Sequence, residues 1–356
     1  MKIVFRWFGD DNDNVKLEYI RQIPGVTGVV GALYDVPVGE AWPREKIEAL
    51  KNRVNGVGLE LEVIESVNVH EYIKLGVPSR ERYIDNYIKS IRNLADAGIK
   101  VICYNFMPIF DWVRTSLNMP LPDGSNTMAY DDSVLNHLTP DELVHRIGEE
   151  SQGFTLPGWQ PDRLADLKKL FDAYKDVDEN ALRENLGYFL HRIIPVCEEV
   201  GVKMSIHPDD PSWSLFGLPR IVKNEEDIER LLNLYDSPAN GIALCTGSLG
   251  INRKNDVPAL IKRFASRGRI PFIHVRNLKF DGEGQFHETS HPTSEGSFDM
   301  FAIMKALYDS GFDGYLRPDH GRMIWGEEGR PGYGLYDRAL GVTYLTGLWE
   351  AISRMS

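Results

Sequence analysis

The stretch "GIALCTGSLGINRKNDVPALIKRFASRGRIPFIHVRN", Gly241–Asn277, decides the fold class. "GIALCTG" reads as a strand, "VPALIKRFASRG" as a helix, and "IPFIHVRN", Ile270–Asn277, as the next strand. A strand, a helix and a second strand in immediate succession imply a parallel pair with a crossover helix.

The same unit recurs on both sides. Strands are expected at Lys2–Phe8, within "GVTGVVGALY", at Leu59–Ser66, Lys100–Phe106 and Lys203–Pro208, and in "GYLRPDH" near the C-terminus. Helices are expected at "NVKLEYIRQI", "PREKIEALKNRV", "RERYIDNYIKSIRNLADAG", "ENALRENLGYFLHRIIPVCEEVG", "NEEDIERLLNLY", "FDMFAIMKALYDSG" and "YDRALGVTYLTGLWEAISRM". Eight βα units in one chain predict an α/β fold, a (β/α)8 TIM barrel forming a single domain over 1–356. A doubly wound sheet is the competing architecture. It favours a Gly-rich G-x-G-x-x-G turn after the first strand, and "WFGDDND" is not one.

Alternation pauses after the fourth strand. Residues 107–178 are rich in Pro, Gly, Trp and Phe, as in "MPLPDGSNTMAY" and "GFTLPGWQPDR". A break this long inside a barrel predicts an insertion or lid, with one or two short helices. Its Trp112 and Trp159 suit packing as well as covering a site.

Composition narrows the function classes. The 356 residues carry a formal net charge of −12, which disfavours nonspecific binding to nucleic acid. Three cysteines, Cys103, Cys197 and Cys245, show no framework spacing, as expected for a reducing compartment. "MKIVFRWFGDD" lacks the long apolar run of a signal peptide, and no later run is long enough to span a bilayer. A cytoplasmic protein without a membrane partner is expected.

In a barrel, chemistry gathers at the C-terminal ends of the strands. The last four expected strands end in "SIHPDD", "ALCTG", "FIHVRN" and "RPDHG", offering His207, Cys245, His274 and Asp319 at matching depth. The period of two puts Phe272, His274 and Arg276 on one face, with Ile273 and Val275 on the other. A lone strand Cys or His is usually a core residue. Four ligand types on four adjacent strand ends predict a metal site. The ligand types favour Zn or Fe and leave Mn open.

Around this centre, Arg6 and Trp7 on the first strand, Glu65 on the third and Asn105 on the fourth are expected at the mouth. Arg276 is expected nearer the opening, gripping a substrate carboxylate. Arg317 is expected deeper, paired with an inward acid such as Glu62. His320 follows Asp319 where glycine turns the chain, a place for an acid or base. Tyr333 lies between glycines on the following loop and can reach over the site. His287, Glu288 and His291 in "GEGQFHETSHP" are expected in a lid or facing solvent.

Eight motifs together resemble the mannonate dehydratase family: "FRWFG", "IPGVTGVVGALYDVPVGEAWP", "YNFMPIFDWVRT", "IHPDDPSW", "CTGSLG", "HVRN", "RPDHGR" and "GYGLYDRALG". They run through nearly the whole chain. The resemblance implies a xylose-isomerase-like barrel and a cytoplasmic homodimer. It implies a lyase of hexuronate catabolism that removes water from a small sugar acid, D-mannonate, to give 2-dehydro-3-deoxy-D-gluconate. It implies Mn²⁺ or Fe²⁺ on His207, Cys245, His274 and Asp319, and His320 with Tyr333 as the acid/base pair. Arg6, Trp7, Asn105, Arg276 and Asn277 are then expected to bind substrate. Another metal-dependent barrel enzyme, such as a sugar isomerase or a dehydratase of a related aldonate, is the alternative. An abasic-site endonuclease wants several metals and a basic groove. A noncatalytic sugar-acid binder needs no thiolate ligand.

Overall fold

The computed structural model describes residues 1–154, 156, 159 and 166–355. Eight strands close into a barrel: β1 (Lys2–Arg6), β2 (Val26–Gly31), β3 (Glu60–Glu65), β4 (Val101–Tyr104), β7 (Lys203–Ile206), β8 (Asn240–Cys245), β9 (Phe272–Val275) and β12 (Tyr315–Pro318). Every neighbouring pair is parallel, and β12 closes onto β1.

Side-chain parity sorts these strands into two cores. Val4, Val30, Val63, Val101, Cys103, Ala243, Phe272 and Tyr315 fill the barrel interior. Their neighbours Ile242, Leu244, Ile273 and Val275 join the larger core beneath the helices. Burial on both faces explains why these strands read as near-continuous apolar runs.

The barrel wall is tight at Gly28. A methyl group there would stand 2.4 Å from the main-chain oxygen of Glu60 on the neighbouring strand. Backbone cannot yield as a side-chain tip can. Gly28→Ala is therefore expected to destabilise the fold by about 1–3 kcal/mol, read as a lower urea midpoint.

A second sheet was not expected. β5 (Ser116–Pro120), β6 (Asn126–Asp131), β10 (Leu278–Gly282) and β11 (Gln285–Glu288) form it in the order β10–β11–β6–β5, with antiparallel pairing. The insertion thus supplies half of a sheet completed by the segment after β9. Helices at Asp132–Leu135, Pro140–Glu150 and Leu167–Tyr174 follow β6. Ile109, Phe110, Val113, Met128, Leu143 and Leu278 belong to a separate hydrophobic cluster uniting this layer. Part of "GFTLPGWQPDR", namely residues 155, 157, 158 and 160–163, lies outside the described residues.

The first expected helix shrinks to Leu17–Ile20. Among the described residues no helix is long and apolar enough to cross a membrane.

Candidate metal and active site

Three strand ends bring metal-ligand atoms together. His207 follows β7, Cys245 ends β8 and His274 lies within β9, where register pairs Cys245 with His274. One donor atom from each of the three lies within 4.8 Å of the others. His207 Nδ1 lies 2.7 Å from the carbonyl of Pro208. Donation there leaves Nε2 as the lone-pair nitrogen, the usual device for orienting a ligand histidine. His274 Nε2 is buried and has no hydrogen-bond partner among the described residues. Burial, reinforced by Arg317, holds the His274 pKa well below the ordinary histidine value, so the ring is neutral. Burial, opposed by Arg276, pushes the Cys245 thiol up to about 12. A bound cation would displace that proton and leave the thiolate. This donor set fits a soft-to-borderline divalent metal.

Asp319 stands at the edge of the trio, its Oδ2 3.5 Å from Cys245 Sγ. Its carboxylate also faces two guanidiniums, Arg317 Nη1 at 2.6 Å and Arg276 Nε at 3.4 Å. Burial opposes its charge, but the Arg317 and Arg276 guanidiniums hold its pKa well below the carboxylate range. A second group, Glu65, Cys103 and His274, also brings ligand atoms within 4.8 Å.

Arg317 pairs with Glu65 through two contacts of 3.1 Å, not with Glu62 as expected. Glu62 instead accepts from Lys2 at 2.5 Å. Both acids lie on β3, three residues apart. The period of two therefore sends Glu65 to the inner face and Glu62 to the other. Burial works against the Glu65 charge, yet Arg317 and Arg6 hold its pKa at about 2.

His320 and Tyr333 meet across the mouth, with Nε2 and Oη 2.9 Å apart. Both line a cavity of about 50 Å³ with Arg6, Glu65, Asn105, Trp112, His207 and Asp319. Asn105 also donates to Asp111 at 3.2 Å. Burial, then the Asp319 charge, raises the Tyr333 pKa above the ordinary phenol value despite Arg317. The lowered value that a tyrosine base would want is therefore not what the protein groups produce.

Three other expectations need correction. Trp7 lies in the main core, its indole donating to the Val15 carbonyl at 3.1 Å. Asn277 braces a loop: it donates to the Pro292 carbonyl at 2.9 Å and accepts from the Leu278 and Phe298 amides. Both residues sit next to an inward arginine, Arg6 or Arg276, and parity turns them away from the cavity. Arg276 itself is fully buried rather than at the rim.

The partners of Arg276 were missed in the sequence. It donates to Glu288 Oε1 at 2.6 Å and Asp210 Oδ2 at 2.8 Å. Arg114 bridges the same two acids, at 2.6 Å to Glu288 and 2.8 Å to Asp210. Glu288 was expected in a lid or in solvent, but it ends β11 fully buried. Burial opposes its charge, while Arg276 and Arg114 hold its pKa at about 2. The sequence offered one clue: "LKFDGEGQFHE" is a hairpin pattern, two strand-like runs joined by the two-residue turn Glu283-Gly284. His291 is buried, with Nε2 3.1 Å from the Val275 carbonyl, and His287 Nδ1 lies 2.6 Å from Asp281.

A family model for D-mannonate dehydratase (UxuA) matches residues 1–356. The chain belongs to the mannonate dehydratase family. It is 65% identical over 355 residues to the mannonate dehydratase of Thermotoga neapolitana, covering 100% of this chain and 99% of that one. The crystal structure of the mannonate dehydratase from Streptococcus suis serotype 2 superposes with a TM-score of 0.91 at 49% identity, covering 100% of this chain and 95% of the other. A xylose isomerase domain protein from Planctomyces limnophilus shares the fold alone, with a TM-score of 0.57 at 15% identity and coverage of 99% of each chain. The mannonate dehydratase family thus accounts for the whole chain.

Proposed function

We propose that the cavity at the C-terminal end of the barrel is where D-mannonate loses water to give 2-dehydro-3-deoxy-D-gluconate. The observation that carries this reading is the convergence of His207, Cys245 and His274 beside the His320–Tyr333 pair. His207, Cys245, His274 and Asp319 would hold one Mn²⁺ or Fe²⁺. When bound, that cation would act as a Lewis acid on the substrate carboxylate and make the C2 proton easier to remove.

The reaction moves a proton from C2 and supplies one to the departing C3 hydroxyl. Tyr333 Oη and His320 Nε2 are the pair placed to handle these protons. Burial keeps the Tyr333 phenol protonated at rest, so it is set to donate. Arg6 lines both this cavity and an adjoining one of about 230 Å³, which also borders Tyr34, Ser66 and Asn68. That neighbouring space suits the polyol end of a six-carbon acid, with Arg6 and Asn105 orienting it. The insertion, through Trp112, covers the cavity and limits water.

Protein stripped of metal and given D-mannonate is expected to form no 2-keto acid until Mn²⁺ or Fe²⁺ is added. Failure to form product with either cation would overturn this reading. A related aldonate turned over in preference to D-mannonate would move the substrate assignment while keeping the site.

A further inference from the structure

Arg276 lies against His320 in a way that the dehydration chemistry does not itself require. Its Nη1 is 2.7 Å from His320 Nδ1. A guanidinium has donors and no acceptor, so in this contact Nδ1 must accept. Glu288 Oε1 also approaches Nδ1, but at 3.4 Å, and it already takes the same Nη1 at 2.6 Å. One arginine nitrogen therefore spends its two protons on Glu288 and His320. A neutral imidazole whose Nδ1 accepts carries its proton on Nε2. Nε2 is the atom that faces Tyr333 Oη at 2.9 Å.

The surroundings hold Arg276 in this pose. Asp210 takes Nη2 at 2.8 Å, and Ser248 lies 3.3 Å from the same nitrogen. Arg114 ties Asp210 and Glu288 together from behind. The guanidinium also packs against Gly247, where an added methyl would come within 1.7 Å of Arg276 Nε. Glycine at that position, inside the short helix Thr246–Gly250, is what lets the side chain pass. The network includes two arginines and the acids Asp210, Glu288 and Asp319, and Arg114, Arg276 and Glu288 are fully buried.

We propose that Arg276, seated over Gly247 and anchored by Glu288 and Asp210, is a positioning residue that fixes the His320 tautomer so that Nε2–H donates to Tyr333 Oη. His320 then supports negative charge on the Tyr333 oxygen while that oxygen gives its proton to the departing C3 hydroxyl and takes the one from C2, so the hydroxyl leaves as water and the phenol is restored. This inference rests on the reading of His320 and Tyr333 as the proton-handling pair.

The first test needs no substitution. ¹⁵N spectra of histidine-labelled, metal-free protein, assigned with His320→Asn, are expected to show Nδ1 of His320 unprotonated and Nε2 protonated. The opposite tautomer would overturn the proposal. Arg276→Lys keeps a charge but cannot bridge Glu288, Asp210 and His320 at once. It is expected to lower kcat by about 10- to 100-fold with KM little changed and metal content intact, and to blur the tautomer signature. Gly247→Ala, which displaces the guanidinium, is expected to act in the same direction. Metal loss in step with lost turnover would overturn the proposal, because Arg276 would then be acting through Asp319. If His320→Asn retained full turnover, the assignment of the pair would fail, while the tautomer measurement would still report on Arg276 separately.

Discussion

Tyr333→Phe is expected to lower kcat by about 100- to 10,000-fold while leaving bound metal and the unfolding midpoint nearly unchanged. The substitution removes one oxygen, the partner of His320 Nε2, and keeps the ring. That ring packs edge-on against Phe8, with centroids 4.9 Å apart, so its packing survives the change. The phenol is buried and keeps its proton at rest, so the loss reports proton handling at Oη rather than a surface contact. His320→Asn is expected to give a loss of the same order. Near-normal turnover in both variants with metal bound would remove the pair from the mechanism. Steady-state kinetics with metal analysis on the same samples makes the measurement.

Arg317→Met is expected to cost about 3–5 kcal/mol of folding stability, measured by urea unfolding of metal-free protein. Arg317 is 2% exposed and stands between Glu65 and Asp319, at 3.1 and 2.6 Å. Removing it leaves two carboxylates in the barrel mouth without their main counter-charge. Glu65→Gln added to Arg317→Met is expected to recover part of the loss, since one unmatched charge then disappears.

The acid limb should change as well. Glu65 has its folded pKa lowered from 4.5 to about 2, so its contribution is complete above about 4.5 and is lost as pH falls through about 2. Without Arg317 the carboxyl returns toward its ordinary value, and stability should fall less steeply over that window. An unchanged acid limb would show that the Arg317 charge is not what holds Glu65 ionised.

Much of this site was legible because strands have a period of two. Parity in "FIHVRN" put His274 and Arg276 on the inner face, and the structure puts both there. The same rule, applied one residue further, turns Trp7 and Asn277 away. Trp7 was expected at the mouth, and the family resemblance implied a substrate-binding Asn277. His320 breaks the alternation because the chain leaves β12 at Pro318 and turns at Gly321, so adjacent residues Asp319 and His320 both reach the mouth.

Depth was harder to read than direction. Arg276 was expected near the opening because it lies beyond His274 along the strand. The sheet formed by β5, β6, β10 and β11 includes the strand that ends at Glu288, and Glu288 together with Asp210 buries the guanidinium. The short strands of that sheet carry weak periodic signals, and their partners lie far apart along the chain.

The sequence alone determined the barrel, the order of its strands and the residue types at their ends. Those follow from local patterning: apolar runs, helical stretches and polar exits, each readable within a few residues. Tertiary structure decided which charges pair. Arg317 meets Glu65 rather than Glu62, and Arg276 meets Asp210, Glu288 and His320. Such pairings join residues as many as 252 positions apart. Their energy depends on distance and burial, and neither exists until the barrel has closed.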